Sequence, residues 1–256
     1  MLVAGPTDLL KRTFMPTVAT TPAQVIDAFG GPERFRSEDR PIPTPGPGQI
    51  QIKVAAAAVN PVDLQTRSGK VLLPQAAHFP MVLGWDAAGS IHRIGDGVVG
   101  WQVDERVAAM SVQPADQNGT YAGYINLAAD LVVRVPDGLE LEHAATIPLT
   151  GLTASQLVRW LNLPSGSTLV VNGPAGAVGR FVVQLASRAG IKVIAVAKRD
   201  DRDEVIELGA TEVVGRGDFA EAVRDLHPGG VDAAIDVVGG AATGAALASV
   251  RDGGRA

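Results

Sequence analysis

The segment that starts at Ser167 constrains the fold of this chain more than any other. An apolar, β-branched run at 168–171 meets a turn with three glycines, and a helical pattern of apolar residues follows at 181–189. A strand, a glycine-rich turn and a helix in this order are typical of dinucleotide folds, because the free N–H groups and the positive end of the helix dipole attract phosphates. We therefore predict a cofactor site here, where Gly176 lets the backbone approach a pyrophosphate and Gly179 lets the helix pack against the strand.

The glycine pattern alone leaves an alternative open. Only the last two glycines of G-x-G-x-x-G are present, because Pro174 stands at the first position. A glycine-rich turn without a ligand would have the same sequence. No G-K-[ST] follows the glycines, which excludes a P-loop. A second apolar run at 192–197 arrives after one helix, as a β-α-β unit requires.

The residues after this second strand favour NADP over NAD. A fold that prefers NAD has Asp or Glu there, about 20 residues after the glycines, to bond the ribose 2′-OH. This chain has Ala197, which leaves room for a 2′-phosphate, and cations can pair with that phosphate's charge. The candidate cations are Lys198, Arg199, Arg202 and, after a third candidate strand at 212–214, Arg216. Because three Asp residues are interleaved, the alternative is a solvated helix start with mixed charges.

Composition excludes several classes of protein. The net charge of −5 argues against a broad surface for nucleic acid or anionic membrane. The absence of cysteine excludes disulfides and thiolate metal sites and permits a cytoplasmic location, which we expect. The four histidines have no ligand spacing, so we predict no metal. No apolar stretch is long enough to span a bilayer.

Two parts of the chain follow different patterns. Residues 1–22 are predicted to be a loose N-terminal extension, because they lack the apolar core and cleavage site of a signal peptide. Short strands punctuated by Pro and Gly predict a compact, partly antiparallel barrel over 23–149. Helices and strands alternate over 150–256, which predicts a parallel sheet covered by helices. The predicted fold class is therefore α/β, with two domains.

Taken together, these residues resemble the medium-chain dehydrogenase/reductase superfamily, and within it the zinc-free NADPH:quinone oxidoreductase (zeta-crystallin-like) branch. The resemblance covers residue 23 to the end, and its motifs occur in the family order at 25–33, 58–69, 80–89, 95–98, 144–148 and 151–154, followed by the glycine turn. It implies a GroES-like β-barrel domain and a Rossmann domain, with NADPH in the cleft between them. It also implies hydride transfer to a quinone or an α,β-unsaturated carbonyl.

The resemblance assigns roles to individual residues. Asn60 and Asp63 are the candidate catalytic residues: Asn60 is a polar donor, and Asp63 either orients that loop or acts as a weak acid. The implied cofactor contacts are Asn60 and Thr153 at the nicotinamide, Gly176, Ala177, Val178 and Gly179 at the pyrophosphate, Lys198 and Arg202 at the 2′-phosphate, and Val238 beside the nicotinamide ribose. The residue types alone also allow a turn-forming Asn-Pro at Asn60 and a helix cap at Asp63.

Two departures from the family pattern keep other functions open. Gln65 and Val71 stand where related quinone reductases often have tyrosines. The family continues with two more strands beyond Ala256, so we expect a C-terminally incomplete Rossmann sheet with an uncovered edge. The alternatives are a cofactor-binding protein or fragment without catalysis, and an enoyl-thioester reductase. The expected partners are a small-molecule acceptor and a second copy of the chain in a homodimer, with neither nucleic acid nor membrane.

Overall fold

The computed structural model describes residues 19–71, 76–111 and 117–256. Most of the predicted N-terminal extension lies outside these ranges. The first strand begins at Thr20, three residues before the expected start of the barrel domain. The expected boundary after residue 149 falls inside a helix, Pro148–Leu161, which links the two parts of the chain. No helix in the described ranges is long and apolar enough to cross a membrane.

The first part of the chain forms two antiparallel sheets. Its strands are β1 (Thr20–Ile26), β2 (Phe35–Pro41), β3 (Gln49–Ala57), β4 (Met81–Val82), β5 (Asp86–Ile94), β6 (Arg106–Met110), β7 (Tyr124–Ala128) and β8 (Val132–Arg134). The strand orders are β2-β1-β4 and β7-β3-β5-β6-β8. Two short helices, α1 (Pro61–Arg67) and α2 (Leu141–Ala144), lie in the connections. The predicted, partly antiparallel barrel is confirmed as a curled antiparallel sheet.

Alternation of side chains builds the barrel core. Ile50 and Ile52 of β3 pack with Ile91 of β5 and Val107 of β6, and all four are fully buried. Residues at every second position of a strand share a face, so the intervening polar positions point away from this core. Gly89 lets β5 lie close to β3, since a Cβ there would lie 2.0 Å from the carbonyl oxygen of the facing Lys53. Any larger residue would push β5 away from β3.

The second part is an alternation of helices and parallel strands. Its elements are α3 (Pro148–Leu161), β9 (Thr168–Asn172), α4 (Ala177–Arg188), β10 (Lys192–Val196), α5 (Arg202–Glu207), β11 (Glu212–Val214), α6 (Phe219–Leu226), β12 (Val231–Asp236), α7 (Ala241–Ser249) and β13 (Val250–Arg255). The sheet order is β11-β10-β9-β12-β13. This is a Rossmann order, in which the chain leaves the sheet on opposite sides after β9 and β12. Ligands of such sheets bind at that reversal, beyond the carboxyl ends of the strands.

The central strand explains why the sequence has continuous apolar runs. Leu169 and Val171 pack on one face of the sheet with Val182 of α4, whereas Val170 packs on the other face with Phe219 of α6. Helices cover both faces, so the adjacent residues 169–172 of β9 are all buried. The predicted parallel sheet is thereby confirmed.

The fifth strand was not predicted from the sequence. β13 pairs with β12 in parallel, with a register shift between Val231 and Ala233. Its sequence, Val-Arg-Asp-Gly-Gly-Arg, has no apolar alternation and two glycines, which are poor strand formers. The edge of the sheet on this side is therefore β13 rather than β12.

Candidate functional site

The glycine turn joins the carboxyl end of β9 to the start of α4. Gly173 has φ +85°, a left-handed conformation that side chains rarely adopt. A Cβ at Gly179 would lie 2.0 Å from the Gly173 carbonyl oxygen, so only glycine fits where the helix passes the turn. Gly176 precedes the helix, and no side chain of the described ranges caps it. The first N–H groups of α4, including those of Ala177 and Val178, are therefore oriented to receive an anion.

A second loop, from the end of β12, lies beside this turn. Asp236 fixes it, because its Oδ1 accepts hydrogen bonds from Asn172 Nδ2 (2.9 Å), Val238 N (2.9 Å) and Gly239 N (3.1 Å). Its Oδ2 accepts a fourth from Thr243 Oγ1 (2.7 Å). Burial alone would raise the pKa of Asp236, but these hydrogen bonds outweigh it and lower the pKa below its ordinary value. Asp236 is thus an anion that ties the ends of β9 and β12 together.

Val238 is placed at the reversal of the sheet. A Cβ on Gly173 would come within 2.8 Å of its side chain, so the two loops touch. The Val238 side chain is 63 % exposed, at the point of the sheet where ligands of such folds bind. Its contact with a nicotinamide ribose stays a prediction.

The predicted cations gather on the other side of the glycine turn. All four are exposed, and they follow the carboxyl ends of the neighbouring strands β10 and β11: Lys198, Arg199, Arg202 and Arg216. Arg202 Nη1 donates to the Val213 carbonyl oxygen at 3.4 Å, and Arg216 pairs with Asp201 at 3.7 Å. Lys198 and Arg199 form no ion pair with any residue that the structure describes. Within the described residues, the charges of Lys198 and Arg199 therefore have no opposite charge paired with them.

Arg180 was not predicted as part of this region. Its Nε donates to the Ala175 carbonyl oxygen of the glycine turn at 2.9 Å, and its guanidinium pairs with Glu204 of α5. The side chain thus connects the turn to the helix that begins in the cation cluster. In the sequence, the only indication of this role is that Arg180 directly follows Gly179.

On the barrel side, Asn60 and Asp63 form the start of α1. Asn60 is its N-cap, and Asp63 Oδ2 accepts the Asn60 backbone N–H at 2.7 Å. Asp63 therefore occupies the helix-capping position that its residue type allowed. Both side chains are almost completely buried, with 6 % and 3 % of their surface exposed. Burial raises the pKa of Asp63.

Asp86, which the sequence analysis missed, is the centre of this polar cluster. Its Oδ2 accepts from Asn60 Nδ2 at 2.9 Å, and its Oδ1 accepts from the Leu149 backbone N–H at 2.8 Å. Burial raises its pKa to about 6, against the effect of these two hydrogen bonds and with a further contribution from the charge of Asp63. Burial and the same Asp63 charge raise the pKa of Tyr121.

Thr153 lies one helical turn after Leu149 on α3. Its hydroxyl donates to the Leu149 carbonyl oxygen at 2.7 Å, so the oxygen remains available as an acceptor. Asp86 accepts hydrogen bonds from both Asn60 and Leu149, and Leu149 in turn accepts one from Thr153. Asp86 therefore links Asn60 to Thr153, the two residues predicted to lie at the nicotinamide.

Comparisons with known proteins agree with this architecture. The alcohol dehydrogenase GroES-like domain matches residues 46–137, and the zinc-binding dehydrogenase family matches residues 177–256. A 2-haloacrylate reductase from Burkholderia sp is 30 % identical over 224 residues, which cover 85 % of this chain and 66 % of that protein. The chain spans about half the length of the first curated relatives that it matches, 53 % and 54 %.

Solved structures are similar over most of the chain. The quinone oxidoreductase from Coxiella burnetii superposes with a TM-score of 0.82 at 29 % identity, covering 92 % of this chain and 74 % of that one. Mycobacterial Rv1454c, solved in complex with NADPH, gives a TM-score of 0.78 at 34 % identity, covering 90 % of this chain and 71 % of that one.

One of the two matching families is named for zinc binding, but the residues of this chain do not fit a zinc centre. The chain has no cysteine. Within 19–71, 76–111 and 117–256, no group of three or more His, Asp or Glu side chains is placed to hold a metal ion. A zinc site needs three or four such ligands converging on one point.

Proposed function

The chain belongs to the medium-chain dehydrogenase/reductase superfamily, and from that membership we propose that it transfers hydride from NADPH to a quinone or an α,β-unsaturated carbonyl without zinc. The observation that carries the proposal is the crevice at the reversal of the parallel sheet, with the glycine turn at its centre and exposed cations on one side. Such a crevice suits a dinucleotide whose pyrophosphate lies at the start of α4.

The residues after β10 favour NADPH over NADH. Ala197 is buried and small, and no carboxylate stands at this point to bond a ribose 2′-OH. The exposed Lys198 and Arg202 supply charge for a 2′-phosphate, with Arg199 and Arg216 close by. The complex of the relative Rv1454c with NADPH supports the same choice.

The roles of the remaining residues rest on their hydrogen bonds. When bound, the reduced nicotinamide supplies the hydride. Asn60 Nδ2 has two hydrogens, of which one is donated to Asp86; the other would stabilise the oxygen of the acceptor as negative charge develops on it. We assign Asp63 a positioning role, because its carboxylate holds the Asn60 backbone. The proton for the reduced acceptor would come from water.

The class of acceptor rests on the relatives. A 2-haloacrylate is an α,β-unsaturated acid, and a quinone contains the same conjugated carbonyl system, so both accept hydride at carbon. The polar groups of the cluster around Asn60 suit an acceptor with one oxygen in conjugation with the reacting carbon. An enoyl thioester has this chemistry too, with a longer acyl chain.

The first experiment is a calorimetric titration of the chain with NADPH and NADH, followed by NADPH oxidation with 1,4-benzoquinone, a 2-alkenal, a 2-haloacrylate and crotonyl thioester. We expect tighter binding of NADPH than of NADH, and turnover with the first three acceptors. Preference for the thioester would favour the enoyl reductase alternative. Binding without turnover of any acceptor would favour a cofactor-binding protein without catalysis and would contradict the proposal.

The preference for NADPH should depend on the cation cluster. In the variant Lys198→Ala/Arg202→Ala, the dissociation constant for NADPH is expected to rise about 10- to 100-fold. This corresponds to about 1.4–2.7 kcal/mol for the two side chains together, because both are exposed and solvent screens their charge. NADH affinity should change less than twofold, because NADH has no 2′-phosphate. Both values can be measured by fluorescence titration.

Lys192 provides the matched control for this experiment. It is an exposed cation at the opposite end of β10. Lys192→Ala should leave both affinities unchanged. An equal loss of NADPH and NADH binding in the double variant would place the cluster outside the 2′-phosphate site.

We further propose a homodimer and a cytoplasmic location, as expected from the sequence. The superfamily and the absence of cysteine support these proposals.

A further inference from the structure

The Asp86 carboxylate joins the barrel to the linking helix α3. Each of its oxygens serves a different element: Oδ2 accepts from the side chain of Asn60 at the start of α1, and Oδ1 accepts from the Leu149 backbone at the start of α3. The partners lie 26 and 63 residues away in the chain, and the Asp86 side chain is completely buried. A single carboxylate thus holds the start of α1 and the start of α3, which border the proposed cleft, in a fixed relative position.

Helix α3 depends on this carboxylate because it has no cap of its own. Its N-cap position is Ile147, which forms no side-chain hydrogen bond to the helix, and Pro148 follows at the first helical position. Helices normally satisfy one of their first free N–H groups with a Ser, Thr, Asp or Asn at that position. Asp86 supplies the missing acceptor from another part of the fold, next to the positive end of the helix dipole.

The charge of Asp86 does not stabilise the fold. The titratable groups that face it are Asp63 of α1 and Tyr121, which precedes β7, and no Lys, Arg or His of the described ranges forms an ion pair with it. Burial raises its pKa, so the ionised form is less favourable in the folded protein than in water. The presence of a buried carboxylate that lowers stability needs an explanation other than stability. Residues that serve a function often lower the stability of the fold in this way.

We propose that Asp86 is a positioning residue for the reaction, which fixes the first turn of α3 against the start of α1 and thereby sets Thr153 opposite Asn60. Thr153 is bonded to the Leu149 carbonyl oxygen, so it moves with the turn that Asp86 holds. The inference rests on the proposed function and on the predicted positions of Asn60 and Thr153 at the nicotinamide. Geometry of this kind matters because a displacement of about 1 Å can lower a rate about 100-fold.

The test compares Asp86→Ala and Asp86→Asn with the wild type in three measurements: amide hydrogen exchange of α3, the dissociation constant for NADPH, and kcat and KM for the acceptor. For Asp86→Ala we expect exchange on the order of tenfold faster in the first turn of α3, as for a lost cap. We expect kcat about 10- to 100-fold lower. The NADPH dissociation constant should stay within about twofold, because the phosphates are held at the glycine turn and cation cluster.

Two further variants define the interpretation. Asp86→Asn should lie between wild type and Asp86→Ala, because its amide oxygen still accepts from Leu149 while its NH2 group opposes Asn60 Nδ2. Asp232→Asn is the matched control: Asp232 also accepts a backbone N–H, from Thr168, but at the opposite end of the parallel sheet. It should change neither kcat nor the exchange of α3.

The outcomes separate this inference from the proposed function. Unchanged exchange of α3 in Asp86→Ala overturns the inference, whether or not the protein turns over an acceptor. An unchanged kcat in an active protein, or an equal loss in Asp232→Asn, overturns it as well. A wild type that oxidises no NADPH contradicts the proposed function, while the exchange data still decide whether Asp86 holds α3. If Asp86→Ala does not fold, Asp86→Asn provides the same measurements.

Discussion

Gly179→Ala is expected to weaken NADPH binding strongly and to destabilise the parallel-sheet part of the chain. The new Cβ would lie 2.0 Å from the Gly173 carbonyl oxygen and 2.8 Å from Pro174 Cα, and both are backbone atoms that cannot rotate away. The start of α4 must therefore move off the turn, at a cost of about 3 kcal/mol in the free energy of unfolding. We expect the dissociation constant for NADPH to rise about 100-fold or more, because the first N–H groups of α4 lose their orientation. Urea unfolding and calorimetry measure the two effects.

Gly244 of α7 is the matched control for this substitution. A Cβ at Gly244 meets no atom within 4 Å. Gly244→Ala should therefore raise the free energy of unfolding by about 0.5–1 kcal/mol, as for glycine in a helix, and leave NADPH affinity unchanged. Wild-type affinity in a folded Gly179→Ala variant would refute the assignment of the turn as the pyrophosphate site.

The second large effect concerns pH. Folding raises the pKa of Asp86 from 3.8 to about 6. Below pH 3.8 the carboxyl is protonated in both states and carries no penalty. Between these values the folded protein retains a proton that the unfolded chain has released, so the free energy of unfolding must fall as pH rises. A shift of about two pKa units corresponds to about 3 kcal/mol, which should be fully lost above pH 6.

Asp86→Asn isolates this contribution, because the amide does not titrate. Urea unfolding of both proteins at pH 4, 5, 6 and 7 should reveal that the wild type loses about 3 kcal/mol relative to the variant across this range. The lowered pKa values of Asp232 and Asp236 have the opposite sign: their contributions are present above pH 3.8 and are lost only as pH falls below it. A difference between the two proteins that stays constant from pH 4 to 7 would mean that Asp86 is charged without penalty.

The parallel-sheet part could be predicted from the sequence because its signals are local. The runs at 168–171, 192–197 and 212–214 are apolar without alternation, as strands buried on both faces must be, and they coincide with β9, β10 and β11 to within one residue. The glycine turn is equally local, since the steric conflict at Gly179 involves an atom only six residues away. Local patterns of this kind require no knowledge of the rest of the fold.

The polar cluster in the barrel could not be predicted in the same way. Asp86 acquires its role from Leu149, and a backbone N–H has no sequence signature. The apolar strand around Asp86 signals only that a buried carboxyl needs partners, not which ones. β13 escaped prediction for a different reason, because its pairing with β12 overrides a sequence of low strand propensity.

The order of the strands has a consequence for how such a protein changes over evolutionary time. The cations that would distinguish the two cofactors follow β10 and β11, whereas Asp236 and Val238 lie at β12, on the other side of β9. Neighbouring strands are about 4.8 Å apart, so the two groups are separated by roughly 10–14 Å. Substitutions at such distances, without shared contacts, act additively on free energy. Under the proposed function, a lineage can therefore change its preference between NADPH and NADH without altering the loop beside the nicotinamide, or the reverse, in independent steps.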